Sequence, residues 1–359
     1  MGLFTKKSYV GVDLGTHALK AVQVEKSGNM WRISHAAVAP TPPDCIRDGV
    51  VSDQDSLSSA LRQMLKNGGI SATSAHIAAA GAAVFVRVVP FPKMPEAVLR
   101  KSIKYEASRY VPGSVDDSYI EFEIVGPINE TQMNVLIVAA PKDIVESRIR
   151  ACEAAGLEVE SVDIEVFASY RSLIETSPNY DVTDSTIALV DIGASSTSVS
   201  VINKGVFAMN RAIPSGGRTL TDELKKRFNL EDEDAEEGKA QLDVRGFLPN
   251  MGIEETPPLR VIQPQLEDMV REIRRSMNYF QSQQAESGEG STVDKIVLTG
   301  GGAKLTGLAE YLTQRLSMPV ESPGVFSNSR ILPPVADFGA GEDLAVASGL
   351  ALRSYGKGA

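Results

Sequence analysis

The same short design occurs twice in this chain, and that repetition restricts its possible folds more than any other feature. VDLGTHALK at 12–20 and VDIGASSTSVSV at 190–201 each run from an apolar strand through an acid into a glycine turn, then into an alternating strand. In both copies the carboxylate, Asp13 or Asp191, stands one apolar residue before the glycine. The turn offers backbone N–H groups, and glycine removes the side chain that would keep a phosphate oxygen away. An acid inside an apolar strand is costly to bury alone. Two acids that share a hydrated Mg²⁺ on a triphosphate escape that cost, because this ion prefers carboxylates and retained waters. A single copy reads as an ordinary tight turn; two copies at the heads of two chain halves read as a clasp around one nucleotide.

Composition narrows the field further. At 359 residues the chain has room for about two domains. Its 43% apolar and 23% charged residues are those of an ordinary globular protein, and the net charge of −10 argues against broad contact with nucleic-acid backbones. Cys45 and Cys152 have neither disulfide nor metal-ligand spacing, and His17, His35 and His76 are too scattered for a zinc site. No apolar run approaches the roughly 20 residues that span a bilayer. The basic start MGLFTKKSYV is not followed by a signal-like apolar run, and the C-terminal ALRSYGKGA is too short for an amphipathic anchor.

Along the chain, residues 8–40 alternate as a three-strand meander ended by PTPPDC, and LSSALRQMLKNGG reads as a helix closed by Gly68 and Gly69. The block 84–164 reads as a compact α+β unit: strand, helix PEAVLRKSIKYEASRYVP, strand pair, helix PKDIVESRIRACEAAGL and final strand EVESVDI. The acidic stretch LEDEDAEEGKAQ at 230–241 reads as a solvated helical face or linker. In the helix that follows, Leu266, Met269, Val270, Ile273, Met277 and Phe280 recur at helical spacing. LTGGGAKLTGL at 298–308 puts consecutive glycines between a strand and a helix, where backbone can pass close under a flat base or ribose.

In order along the chain, Asp13 to Lys20, Asp191 to Thr197 and Gly300 to Lys304 resemble the phosphate 1, phosphate 2 and adenosine motifs of the actin-like ATPase superfamily. PSGGRTLTDELKKRF at 214–228 and MVREIRRSMNYF at 269–280 are similar to later actin segments, and EVFASYRSL at 165–173 and LAVASGLAL at 344–352 occupy the places of its two connecting helices. The resemblance implies an α/β, ribonuclease H-like duplicated fold with two lobes around a nucleotide cleft, and ATP and Mg²⁺ as cofactors. It implies Asp13, Glu165 and Asp191 as the catalytic group, with Asp13 and Asp191 on the metal. Gly15, Thr16, Lys20, Gly193, Ala194, Ser195, Ser196, Gly216, Gly217, Arg271, Arg274, Arg275, Gly300, Gly301, Gly302 and Ala303 would then surround the nucleotide. Actin carries an acid where this chain has Ala194, which implies slow hydrolysis at most.

The implied division is residues 1–83 with 165–184 as subdomain 1A, 84–164 as 1C, 185–225 with 285–359 as 2A, and 226–284 as 2B. Block 84–164 stands where FtsA and PilM carry their subdomain 1C, and LIVAAPKDIVESRIRACEAAGLEVESVDIEVFAS closely resembles the PilM family and its competence relatives. That family implies an ATP-binding cytoplasmic component of the type IV pilus inner-membrane assembly complex. It would hold the N-terminal cytoplasmic tail of PilN beside 1C and meet pilus motor and platform proteins. It would bind no nucleic acid and reach the inner membrane through partners, without its own anchor. An FtsA-like filament-forming protein and a small-molecule kinase of the same superfold are the alternatives.

Overall fold

The computed structural model describes residues 8–249, 251–287 and 290–355. Lys6 and Lys7 of the basic start and the last four residues of the C-terminal segment lie outside the described residues. Among the described residues no helix is long and apolar enough to cross a membrane.

The predicted meander is present as β1 (Tyr9–Leu14), β2 (Ala18–Ser27) and β3 (Met30–Pro40), paired antiparallel in sequence. A two-residue hairpin, β4 (Ile46–Arg47) with β5 (Val50–Val51), leads into α1 (Gln54–Asn67), which Asp53 caps by accepting from the Ser56 N–H at 3.0 Å. Strand β6 (Ser74–Ala79) then pairs in parallel with β1. The chain next forms β7 (Phe85–Pro92), α2 (Glu96–Ala107), β8 (Ser118–Pro127) and β9 (Gln132–Pro141), followed by α3 (Lys142–Ala154), β10 (Glu158–Ile164) and α4 (Glu165–Tyr170).

The second half repeats the meander with β11 (Thr186–Ile192), β12 (Thr197–Asn203) and β13 (Val206–Ile213). Helices α5 (Gly217–Phe228), α6 (Asp232–Ala240) and α7 (Pro257–Ser287) follow. The chain closes with β14 (Lys295–Thr299), α8 (Leu308–Leu316), β15 (Val320–Glu321), β16 (Ile331–Leu332) and α9 (Ala345–Leu352).

Two mixed sheets result. The first has the order β10-β6-β1-β2-β3-β16, and the second β15-β14-β11-β12-β13-β7-β9-β8. This topology corrects the boundary drawn at 84–164. Strands β7, β8 and β9 with α2 enclose a core of their own, including Phe91, Leu99, Ile103, Val135 and Ile137. Strand β10, however, lies beside β6 in the first sheet, and α3 covers that sheet through Ala151 and Cys152. A parallel strand needs a crossover helix, and α3 provides it. The unit is therefore stitched to both halves: β9 leads into α3 and the first sheet, while β7 meets β13 of the second at Arg87 and Met209.

Between the sheets lies a core of Val22, Val24 and Ile33 from the first and Ile187, Leu189 and Val297 from the second, sealed by α4 and α9. Helix α4 widens into a π-type turn over Arg171–Glu175. Small residues let α9 approach closely: a Cβ on Gly349 would overlap the carbonyl oxygen of Ala168 in α4. Arg171 and Arg353 both reach the buried Asp163 at the end of β10, at 3.1 and 2.7 Å, tying the two connectors together. Because that contact is backbone against Cβ, Gly349→Val should cost about 3 kcal/mol or more, read as a lowered midpoint in denaturant unfolding. An unchanged midpoint would refute this account of the packing.

Candidate functional site

The two repeated turns share one register. In the first hairpin Asp13 lies opposite Lys20 and Leu14 opposite Leu19; in the second Asp191 lies opposite Ser198 and Ile192 opposite Thr197. Identical strand pairing thus carries both acids to the mouth of a four-residue turn, although the residues facing them differ. Lys20 Nζ donates to Asp13 Oδ2 at 2.8 Å, whereas Ser198 donates to Asn210 Oδ1 at 2.8 Å. Among the described residues Asp191 forms no ion pair.

Each turn is braced from behind. Thr41 Oγ1 donates to the Gly15 carbonyl at 2.6 Å, and the N–H groups of Gly217 and Arg218, at the start of α5, donate to the carbonyls of Gly193 and Ala194 at 2.9 Å each. The turns meet: Thr16 Oγ1 donates to Ser195 Oγ at 3.3 Å, a contact between the two halves of the chain. The 300–302 turn joins the second half's wall. Gly300 has φ +88, and a Cβ there would overlap Asp191 Oδ1, so only glycine lets this backbone lie against the acid. Its N–H donates to the Glu342 carbonyl at 3.1 Å, which fixes the turn to the segment entering α9.

These elements line one cavity of about 390 Å³. Asp13, Gly15, Thr16, Lys20, Glu165, Asp191, Gly193, Ala194, Ser195, Ser196, Gly217, Gly300, Gly301 and Gly302 all line it. Five residues expected on the lining need correction. Gly216 sits behind the second turn, where a Cβ would overlap the carbonyls of Gly193 and Ala194, and Ala303 is buried in the core beneath its turn. Arg271, Arg274 and Arg275 do not line the cavity. Arg271 pairs with Asp268, Arg274 donates to the Arg315 carbonyl, and Arg275 stands 3.7 Å from Glu272. The cause is helical phase: α7 buries Met269, Val270, Ile273 and Met277, which turns the three arginines outward. The acidic stretch at 230–241 is also more than a solvated face. Ala235 of α6 is buried, Glu236 and Lys239 line the cavity, and Lys239 Nζ reaches Thr221 Oγ1 at 2.8 Å.

Arg148 was also missed by sequence reasoning. Its side chain is buried in α3 and lines the cavity beside Glu165. A signal was present, since Ile144, Val145, Ser147, Arg148, Ala151 and Cys152 share one helical face and only the arginine is charged.

Charge dominates this cavity. Burial, then the nearness of Asp13, pushes the Glu165 carboxyl up to about 8, with Arg148 opposing. Burial and Asp13 likewise push Asp191 up to about 6. Burial works against the Lys20 ammonium, yet Asp13 outweighs it and holds the group above its ordinary value. Among the described residues no cluster of three or more His, Cys, Asp or Glu side chains gathers to enclose a metal ion. The donor set instead fits a hydrated cation that takes its other ligands from phosphate.

The chain matches the family model described as type IV pilus assembly protein PilM over residues 11–355. It belongs to the PilM family. Among solved structures it is similar to a PilM-PilN type IV pilus biogenesis complex, at 28% identity and a TM-score of 0.83, covering 97% of this chain and 99% of that one. The ethanolamine utilization protein EutJ of Carboxydothermus hydrogenoformans shares the fold at 18% identity, a TM-score of 0.58 and coverage of 98% and 91%. MreB5 of Spiroplasma citri, in a structure bound to AMPPNP, shares it at 12% identity, a TM-score of 0.51 and coverage of 96% and 95%. Cell division protein FtsA of Bacillus subtilis is 22% identical over 65% of this chain, and the alignment spans 58% of FtsA. The expected two-lobed actin-like fold and the resemblance to PilM both hold.

The raised Glu165 gives a sign-definite expectation. Its carboxyl titrates near the ordinary 4.5 when unfolded and near 8 when folded, so between these values the unfolded chain binds fewer protons and stability falls as pH rises. Glu165→Gln removes that penalty. The variant should gain stability over the parent progressively from about pH 5 to pH 8 and hold the gain above it, in unfolding midpoints across pH. A pH-independent difference would contradict the assignment.

Proposed function

We propose that the cleft binds ATP with Mg²⁺ and that the nucleotide acts chiefly as a conformational ligand controlling attachment to a PilN tail. The observation that carries this reading is the pair of acid-glycine hairpins, alike in register, whose turns meet through Thr16 and Ser195 across one cavity. The turns supply N–H groups to phosphate oxygens, as neighbouring amides do in anion-binding nests. Asp13 and Asp191 would hold the cation, which supplies positive charge to the crowded carboxylates and the phosphates. Lys20, now on Asp13, is placed to transfer its donor to a phosphate oxygen when the cation takes its place on the acid.

Glu165 stands at the N-terminus of α4 and opens on the cavity, placed to orient a water against the terminal phosphate. Ala194 offers no second acid at the other turn, so hydrolysis should be slow. ATP that is hydrolysed slowly while held in one closed state serves better as a switch than as a fuel.

The partner is inferred from family membership and from the solved PilM-PilN relative. The β7–β9 unit supports the coupling because it is attached to both halves of the chain, so a change in lobe closure reaches its surface. Such attachment would hold the protein at the cytoplasmic face of the inner membrane, beside motor and platform proteins. Titration of a PilN N-terminal peptide should give affinities that differ several-fold between Mg-ATP and ADP, and Asp13→Ala should abolish the difference. A peptide affinity indifferent to nucleotide and to Asp13→Ala would rule out the coupling.

A further inference from the structure

The guanidinium of Arg148 is held in a way that leaves one end without work. Nε donates to the Gly49 carbonyl at 3.0 Å, and Nη1 donates to the carbonyls of Leu14 at 3.3 Å and Ala78 at 3.2 Å. These acceptors belong to three separate segments: the strand entering the first phosphate turn, the β4–β5 hairpin and the end of β6. Three of the five N–H donors are thereby used. Both donors on Nη2 lack a hydrogen-bond partner among the described residues, although the side chain is only 2% exposed and lines the cavity.

No carboxylate forms an ion pair with this arginine among the described residues. Burial pulls the guanidinium below its ordinary value, and Glu165 and Asp13 resist that pull from a distance, so its charge is only partly compensated. A buried cation without an ion pair is costly, and structures retain such groups when a ligand completes them. Its carbonyl partners orient the fork rigidly, and a pre-oriented planar fork is suited to taking two oxygens of one phosphate.

Position narrows the ligand. The 300–302 turn, the expected wall of the base and ribose, lies against Asp191 in the second half of the chain. Arg148 lies in the first half, bonded to the residue between Asp13 and the first turn, with Glu165 as its leading charged neighbour. The oxygen-rich group that reaches these carboxylates is the phosphate tail of a nucleotide. We propose that Arg148 is a specificity-determining residue whose Nη2 contacts the terminal phosphate of a bound nucleoside triphosphate and so distinguishes it from the diphosphate. This assignment rests on the nucleotide reading given above. It makes the arginine an internal sensor: because it also grips Leu14, Gly49 and Ala78, the presence of the last phosphate is reported to β1, the β4–β5 hairpin and β6 together.

The test is calorimetric titration of Mg-ATP and Mg-ADP into the full chain, Arg148→Met and Arg148→Lys, with thermal melting of each. Arg148→Met should lose about tenfold or more in ATP affinity and less than about threefold in ADP affinity, with Arg148→Lys recovering part of the loss. Equal losses for the two nucleotides would mark a merely structural arginine and overturn the assignment, as would no loss in either. If Arg148→Met does not fold, the unsubstituted chain labelled with ¹⁵N-arginine decides. The Arg148 guanidinium signal, assigned through Arg148→Lys, should shift with Mg-AMPPNP and not with Mg-ADP; the same response to both would overturn the proposal. An unsubstituted chain that binds neither nucleotide would remove the nucleotide reading and this one with it, whereas normal binding with an unchanged ATP to ADP ratio would remove this one alone.

Discussion

Three carboxylates crowded into one cavity set the terms for everything else in this protein. Asp13, Glu165 and Asp191 arrive from two sheets and a connecting helix; Asp13 raises the proton affinity of both other acids, and Asp191 adds to the rise at Glu165. Like charges at low effective dielectric repel strongly, and a protein retains such an arrangement only where something positive completes it. Lys20 supplies part of that charge and Arg148 another part, but the elevated Glu165 and Asp191 show that the balance is incomplete. In the proposed reading, a divalent cation carried by phosphate would complete that balance.

The fold exists around this site because duplication delivers it. One strand-turn-strand pattern, used twice, places an acid and a glycine turn at the strand ends in the middle of each sheet, and the connectors α4 and α9 bring the sheets together over a shared apolar core. The tight seat of Gly349 on Ala168 and the two arginines on Asp163 fix how those connectors cross. The β7–β9 unit is attached to both halves, which is where the proposed coupling would surface.

Much of this was legible from residue order. The hairpins announced themselves because acid, apolar residue and glycine recur in one spacing, and the structure brings every residue of both turns to one cavity. What escaped reading depended on long-range contacts. Strand β10 carries a generic alternating pattern, so nothing in EVESVDI discloses that it joins the first sheet instead of the β7–β9 unit. The outward turn of Arg271, Arg274 and Arg275 followed from the apolar phase of α7, which was visible in the same segment and outweighs the resemblance that placed them on the nucleotide. In α6, a run of acids concealed Ala235, Glu236 and Lys239, which occupy its inner face. Arg148 was hidden by habit, because arginines on a helix are usually solvated.

The central claim is that both hairpin acids serve one cation on one nucleotide. It is tested most directly by crystallising the full chain with AMPPNP and Mn²⁺ and locating the metal by its anomalous scattering. The account predicts a single strong peak between Asp13 and Asp191, with the phosphates lying along the two turns. A peak served by only one of these acids, or a nucleotide seated elsewhere on the protein, would contradict it.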